Sequence, residues 1–329
     1  MNRRTALARS LLTGMFAAAS LLVGAAAEAQ DYPTKPIRIV VASAAGGASD
    51  ILARTVAEKM QVLLGQPVVV EARAGANGNI AAEYVAGLTP DGYTLMMGNV
   101  GSLAINASMY KNMHVDPIRD FAPVARLVSF SNLLVVRADL PVNNVKELIA
   151  YAKAHPKELR YGSPGAGGSP HMAMVVFGQM ANLDLVHVPY KGAAPALTDL
   201  MGGYIDLSFS DPLLTQAQLP SGRIRALAVS GAKRLPSLPD LPTVAEAGVP
   251  GYEVSGWLGI AAPARTPPAI VDKLNRTLNQ IMDMPDIRAK MREQGAEIIT
   301  TTPQEFGTFM KAEYTRWKKV VNEGNLYAE

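Results

Sequence analysis

Segments with strand character alternate with segments of helical spacing along almost the whole chain. The β-branched run Ile37–Ala42 is followed by Leu52, Val56, Met60 and Leu63, which recur at the spacing of one helical face. Repeated strand–helix alternation predicts an α/β fold in which parallel sheets carry helices on their faces. Further strands are predicted at residues 68–70, 93–97, 133–136, 160–162, 185–188, 205–209 and 224–229.

Helix-start signals support this alternation. Asn144 with Glu147, and Thr302 with Glu305, have the spacing of a capping box, in which two side chains satisfy backbone N–H groups at a helix start. Thr266 before Pro267 predicts a cap followed by a first-turn proline. The helix after Thr302 is predicted to end at Gly324.

Two glycine-rich turns, at 43–50 and 163–171, each stand between a predicted strand and a predicted helix, about 120 residues apart. This spacing predicts two lobes with one turn in each. Backbone N–H groups and the helix dipole at such a turn favour an anion without any basic side chain. Each turn could instead be purely structural, with Ser49, Asp50 or Ser169 capping the helix that follows.

If the lobes face each other, the carboxyl ends of their strands form one cleft, where ligands of open α/β sheets bind. His171, Lys191 and Trp257 are left open, because a ligand contact, a solvated loop or a core position would suit them. Asp211 could also be a helix cap. The candidate ligand-binding residues are Ser43, Ala45, Gly46, Gly47, Ser49 and Asp50 in the first turn, Ser163, Gly165, Gly167, Gly168 and Ser169 in the second, and Asn99, Tyr190 and Asp211 after other strands.

The first 29 residues have the pattern of a secretory signal peptide: three arginines, an apolar run at 11–25, and Ala27-Glu28-Ala29 as a cleavage site. Glycine and polar residues interrupt the run, which argues against a membrane span. Cleavage would leave 300 residues with 28 basic and 27 acidic side chains, and the export route stays open. Because no Lys/Arg block remains, a nucleic-acid partner is not expected.

Several observations argue against catalysis. The chain has no cysteine, which excludes disulfides, thiolate metal sites and cysteine nucleophiles. It lacks the common hydrolase, nucleotide and metalloprotease motifs, and its four histidines have no metal-ligand spacing. No catalytic residue, metal or cofactor is therefore expected. The pair Ser169 and His171 leaves a secreted hydrolase or isomerase as an alternative, although residues two apart at a helix start do not face each other.

A set of short motifs, taken in order, resembles the Bug family, the substrate-binding proteins of tripartite tricarboxylate transporters. The motifs are Gly46-Gly47-Ala48-Ser49-Asp50, Pro90-Asp91-Gly92-Tyr93-Thr94-Leu95, Ser163-Pro164-Gly165, His187-Val188-Pro189-Tyr190-Lys191-Gly192 and Ala245-Glu246-Ala247-Gly248. The resemblance covers essentially the whole chain after residue 29. It implies a periplasmic protein with the type II periplasmic-binding-protein fold, whose two lobes close on a ligand. A monomer is expected.

The resemblance also implies a small carboxylate ligand, held by Ser43–Asp50 and Ser163–Ser169 with Tyr190 and Asp211 nearby. The ligand would pass to the membrane subunits of a transporter or to a sensor. This sequence differs from many relatives at 42–44 and 168–170, so the ligand's identity is not carried over. A structural envelope protein with a vestigial cleft is a third hypothesis. The expected division is a signal peptide at 1–29, lobe 1 at 30–129 plus 226–329, and lobe 2 at 130–225.

Overall fold

The computed structural model describes residues 32–43, 45–190 and 192–328, together with the backbone but not the side chain of Leu213. The predicted signal peptide and Lys191 lie outside the described residues. The strands are β1 (Ile37–Val41), β2 (Val68–Ala72), β3 (Thr94–Asn99), β4 (Phe121–Ser131), β5 (Leu133–Arg137), β6 (Arg160–Ser163), β7 (Val186–Pro189), β8 (Leu207–Ser210), β9 (Ile224–Val229), β10 (Ser255–Pro263) and β11 (Ala296–Ile298).

Ten α-helices lie between these strands in the described ranges, with 3₁₀ turns at Ala76–Gly78 and Leu219–Ser221 and a π-helix at Gly101–Ile105. None of these helices is both long and apolar enough to cross a membrane. The α-helices are α1 (Ala48–Leu64), α2 (Asn79–Ala86), α3 (Asn106–Met109), α4 (Val145–Ala154), α5 (Ser169–Ala181), α6 (Ala193–Met201), α7 (Pro212–Gln216), α8 (Pro268–Met282), α9 (Pro285–Glu293) and α10 (Pro303–Glu323).

The strands form two sheets, in the orders β11-β4-β10-β3-β1-β2 and β7-β6-β8-β5-β9. The two-lobed α/β fold is confirmed, but the sheets are mixed rather than mostly parallel. Strands β1, β2 and β3 are parallel, as are β6, β7 and β8, whereas β4, β5, β9, β10 and β11 pair antiparallel with their neighbours. The antiparallel pairs involve β4, β5, β9 and β10, which are the strands next to the connections between the sheets, and also β11.

The chain passes between the sheets twice. Asn132 alone separates β4 from β5, and residues 230–254 return from β9 to β10. The expected boundary at 225/226 falls inside β9, all of which belongs to the second sheet through its pairing with β5. A division that follows the two sheets would lie after Val229.

Local signals explain several helix ends. Thr302 and Glu305 form the predicted capping box at the start of α10, which ends at Gly324. Asn144 accepts a hydrogen bond from the Glu147 N–H at the start of α4, as predicted. The Thr266 prediction is wrong: α8 begins one residue later, with Pro267 at the N-cap, because the Thr266 hydroxyl donates to the Pro263 carbonyl instead.

The largest hydrophobic cluster takes side chains from both sheets, including Val40 and Ala261 of the first and Leu134 and Phe209 of the second. A second cluster lies under α1 and α8. Trp257 belongs to the core: it is 1% exposed and does not line a cleft. The strands that lead into the turns are thus packed in a hydrophobic core that continues through both sheets.

Candidate ligand-binding cleft

The first turn connects β1 to α1. Gly46 has φ 83°, a left-handed conformation that favours glycine, and Gly47 is the N-cap without a side-chain cap. Asp50 is buried, and its Oδ2 accepts hydrogen bonds from the Gly46 N–H and from Arg54 Nε, both over 3.0 Å. Burial raises the pKa of Asp50, but these hydrogen bonds outweigh it and leave the pKa below its usual value. Asp50 therefore shapes the turn and occupies one of its N–H groups.

The rest of this turn combines three exposed residues with two serines. Ala45, Gly46 and Gly47 are exposed, whereas Ser49 is buried in the first turn of α1. The Ser43 Oγ is also buried, and no hydrogen-bond partner for it lies in the described ranges. A buried hydroxyl without a partner is unfavourable, so a ligand that hydrogen-bonds to Ser43 would remove that cost.

The second turn connects β6 to α5. Gly165 and Gly167 have φ 138° and 82°, and Gly168 is the N-cap of α5. Ser169 is the first helical residue rather than the cap, and Pro170 follows it. The turn is partly closed by its own side chains, since the Gly165 N–H donates to Ser163 Oγ over 3.3 Å.

Two histidines lie under the second turn. The His171 Nδ1 accepts a hydrogen bond from the Gly167 N–H over 3.2 Å, which requires a neutral ring with its proton on Nε2. His187 Nε2 lies 2.7 Å from Ser163 Oγ, and the two imidazole centroids are 4.3 Å apart. Burial lowers the pKa of His171 to about 3, with a further contribution from His187, and lowers the pKa of His187 to about 4. Both rings are thus neutral supports of the turn near neutral pH.

The segment Asn77–Asn79 lies between the two turns. A methyl group on Gly78 would lie 2.9 Å from Ala42 Cβ, beside the first turn, and one on Gly167 would lie 2.8 Å from Asn77 Nδ2. Asn106 holds the segment in place, since its Nδ2 donates to the Asn77 carbonyl over 2.9 Å and to Asn79 Oδ1 over 2.6 Å. Ala42, next to the first turn, and Gly167 of the second turn therefore both lie close to one polar segment.

The three candidate ligand-binding residues outside the turns already form hydrogen bonds within the protein. Asn99 Oδ1 accepts from the Ser102 N–H over 3.0 Å, at the start of the π-helix. The Tyr190 hydroxyl donates to Asp199 over 2.7 Å, and burial together with this bond raises its pKa to about 12. Asp211 Oδ1 accepts from the Leu214 N–H over 3.3 Å at the start of α7, which is the predicted capping role.

Ser169 and His171 do not form a hydrolase pair. The Ser169 Oγ accepts a hydrogen bond from Asn132 Nδ2 over 2.7 Å, while His171 Nδ1 is occupied by Gly167. Asn106 and Asn132 also belong to this region, although no sequence pattern points to them. Each lies far in sequence from its partners, and an isolated asparagine has no local signal of such a contact.

Comparison with known proteins places the chain in a family. Residues 52–326 match the sequence model described as "Tripartite tricarboxylate transporter family receptor". Protein BugT of Bordetella pertussis is 33% identical over 302 residues, which cover 92% of this chain and 93% of BugT.

Two solved structures from Rhodopseudomonas palustris are similar over nearly their full length. Rpa4515 with adipate is 41% identical with a TM-score of 0.84, covering 90% of this chain and 99% of that one. MatC (Rpa3494) with bound malate is 32% identical with a TM-score of 0.80, covering 88% and 100%. These matches show that the chain belongs to the tripartite tricarboxylate transporter receptor family, the Bug family, as a solute-binding protein and not an enzyme.

Proposed function

We propose that this protein is a periplasmic receptor that captures a small carboxylate between two lobes and delivers it to the membrane subunits of a tripartite tricarboxylate transporter. Residues 1–29 act as a cleaved signal peptide in this proposal. One lobe comprises residues up to 131 and from 255, and the other comprises 133–229. The two connections at 132 and 230–254 form the hinge.

The observation that carries the proposal is the position of Asn77–Asn79 between the two glycine-rich turns. Ala42 packs against Gly78 and Gly167 packs against Asn77, so the ends of β1 and β6 point toward the same short segment. A ligand at this point contacts elements of both sheets. Such a ligand favours the closed arrangement of the lobes over an open one.

The chemistry of the two turns favours an anion. Neither turn contains Lys or Arg, so recognition rests on N–H groups at the starts of α1 and α5 and on serine hydroxyls. A helix N-terminus stabilises an anion by about 0.3–1 kcal/mol, and each charge-assisted hydrogen bond adds about 1.5–3 kcal/mol. Three or four such contacts support micromolar affinity after ordering costs. The adipate and malate bound by the two similar proteins are both dicarboxylates.

The test is calorimetry with adipate, malate and related carboxylates on wild type, Gly47→Val and Lys191→Ala. Gly47→Val places a branched side chain at the N-cap of α1 and should abolish binding. Lys191→Ala should weaken binding far less, because the backbone performs the recognition. Circular dichroism and the melting temperature show whether each variant is folded.

Loss of all affinity in Lys191→Ala, with wild-type affinity in Gly47→Val, would replace backbone recognition by a side-chain ion pair. Mass spectrometry of ligand released from the purified protein identifies the natural solute. Turnover of a carboxylic ester or amide by the wild type would contradict a receptor function. An intact mass that begins at Gln30 in periplasmic material tests the export.

A further inference from the structure

A cavity of about 630 Å³ lies beside the segments that connect the sheets. Its walls are the end of β4 with Ser131, the start of β10 with Ser255, strand β11, and residues 232–236 of the return connection. It shares no residue with the candidate ligand-binding cleft. Its volume is in the range of small-molecule sites, about 300–1,000 Å³.

Most of the charged residues that line this cavity are cations. Two carboxylates, those of Glu253 and Glu297, lie in the lining, and those of Glu246 and Asp283 lie just outside it and pair with Arg234 and Arg288. An excess of one positive charge remains, which attracts anions. The five cationic residues are Arg126, Lys233, Arg234, Arg288 and Arg292.

Two of these cations have no carboxylate within 4 Å in the ranges that the structure describes, although Glu313 and Glu297 attract Arg126 from farther away. Lys233, Arg234 and Arg288 each have a carboxylate within 4 Å, whereas Arg126 and Arg292 have none. Arg126 is half-buried on β4 with its guanidinium 3.9 Å from the Phe309 ring centroid, and its buried Nε has no hydrogen-bond partner. A buried guanidinium N–H without an acceptor is unfavourable, and an anion in the cavity would supply one.

We propose that this cavity binds a small anion carrying at least two negative charges, with Arg126 as its innermost contact and Arg288 and Arg292 at its rim. The planar fork of arginine pairs with the oxygens of phosphate and of carboxylate alike, so free phosphate and a compact polycarboxylate share the required chemistry. The site is separate from the cleft and does not depend on the proposed function.

The experiment is calorimetry at low ionic strength with inorganic phosphate and, separately, with citrate. Arg126→Gln and the double variant Arg288→Gln/Arg292→Gln should each weaken binding at least tenfold. Arg276→Gln removes an exposed arginine outside the cavity and should match wild type. The cleft variant Gly47→Val should also keep wild-type affinity for the anion that binds in this cavity. The probe that binds more tightly shows whether the site prefers phosphate or a polycarboxylate.

If Arg126→Gln fails to fold, the double variant still decides, because Arg288 and Arg292 are exposed. No phosphate or citrate binding by wild type up to millimolar concentration overturns the proposal. Equal affinity in the wild type and both cavity variants also overturns it. If only Gly47→Val loses binding, the anion binds in the cleft. That result overturns the proposal of a separate site but leaves the proposed function unaffected.

Discussion

Asn132 Nδ2 donates a hydrogen bond to Ser169 Oγ over 2.7 Å, although the two residues are 37 positions apart. Asn132 is the single residue between β4 and β5, and Ser169 begins α5 directly after the second turn. The Asn132 N–H also donates to Ser230 Oγ over 2.8 Å, and that hydroxyl donates to the Val254 carbonyl over 2.6 Å. Both connections between the sheets and the second turn are thus joined through one buried residue, which uses its side chain and its backbone N–H.

Asn132→Ala should lower the free energy of unfolding by about 1–3 kcal/mol, because it leaves the buried Ser169 hydroxyl without its donor. Urea unfolding measures the change. A double-mutant cycle with Ser169→Ala should give a coupling energy of about 0.5–3 kcal/mol. Thr308→Ala, at an exposed site on α10, should change stability by no more than about 0.5 kcal/mol. A coupling energy of zero would show that this hydrogen bond does not tie the connection to the turn.

Stability should fall as the pH is lowered through the window set by the buried His171 and the half-buried His187. Their usual pKa is 6.5, and burial lowers it to about 3 for His171 and about 4 for His187. Between 6.5 and the lowered pKa of each histidine, the unfolded chain binds more protons than the folded chain. The free energy of unfolding therefore rises with pH in this window and decreases as the pH falls below 6.5. His187→Gln should reduce the slope by about 1.4 kcal/mol per pH unit.

Urea unfolding at several pH values from 7 to 4 measures the slope. His114→Gln, at an exposed position, controls for the removal of an imidazole. A slope in His187→Gln equal to that of wild type would show that His187 titrates alike in the folded and unfolded chain.

Elements with strong local signals were predicted well from the sequence. The capping box of α10 and the strand Ile224–Val229 were placed at their observed bounds, because each depends on neighbouring residues. The long central strands β4 and β10 were missed. Strand β10 contains Gly256, Gly259, Ala261 and Ala262, which have low strand propensity, and it is stabilised by partners on both sides.

Gly259 shows why that strand departs from propensity. A methyl group there would lie 2.5 Å from the Phe306 ring and 2.9 Å from the Ala125 carbonyl oxygen, so only glycine allows α10 to pack this closely. The glycine-rich turns were predicted for a similar local reason. Their hydrogen bonding was not, because the occupation of the Gly46 and Gly167 N–H groups by Asp50 and His171 depends on side-chain orientation.

Glu313 should be required for the stability of the first lobe. Its Oε2 accepts hydrogen bonds from Trp257 Nε1 over 2.9 Å and Trp317 Nε1 over 3.1 Å, and all three residues are buried. Glu313→Leu leaves both indole N–H groups without an acceptor, at about 1–3 kcal/mol each. Glu313→Gln keeps an acceptor and should cost less. The chain has two tryptophans, so fluorescence during urea unfolding reports directly on this contact. Equal stability of Glu313→Leu and wild type would contradict it.

The contact between Gly167 and Asn77 can be separated from the effect of backbone strain by a matched pair of variants. Gly167 and Gly203 have φ 82° and 75°, so valine is strained by about 1–3 kcal/mol at either position. No atom lies within 4 Å of a methyl group on Gly203. A methyl group on Gly167 lies 2.8 Å from Asn77 Nδ2, 3.0 Å from Asn106 Oδ1 and 3.1 Å from Met109 Sδ.

Both variants should therefore melt at a lower temperature than wild type, but only Gly167→Val should hold the two turns apart. We expect its affinity for dicarboxylates to fall more than a hundredfold in calorimetry, because a ligand can no longer contact both turns at once. X-ray scattering should show no compaction of Gly167→Val with added ligand, whereas Gly203→Val should respond as wild type does. Wild-type affinity in Gly167→Val would mean that the ligand is held by the first turn alone and that approach of the second turn contributes nothing to binding.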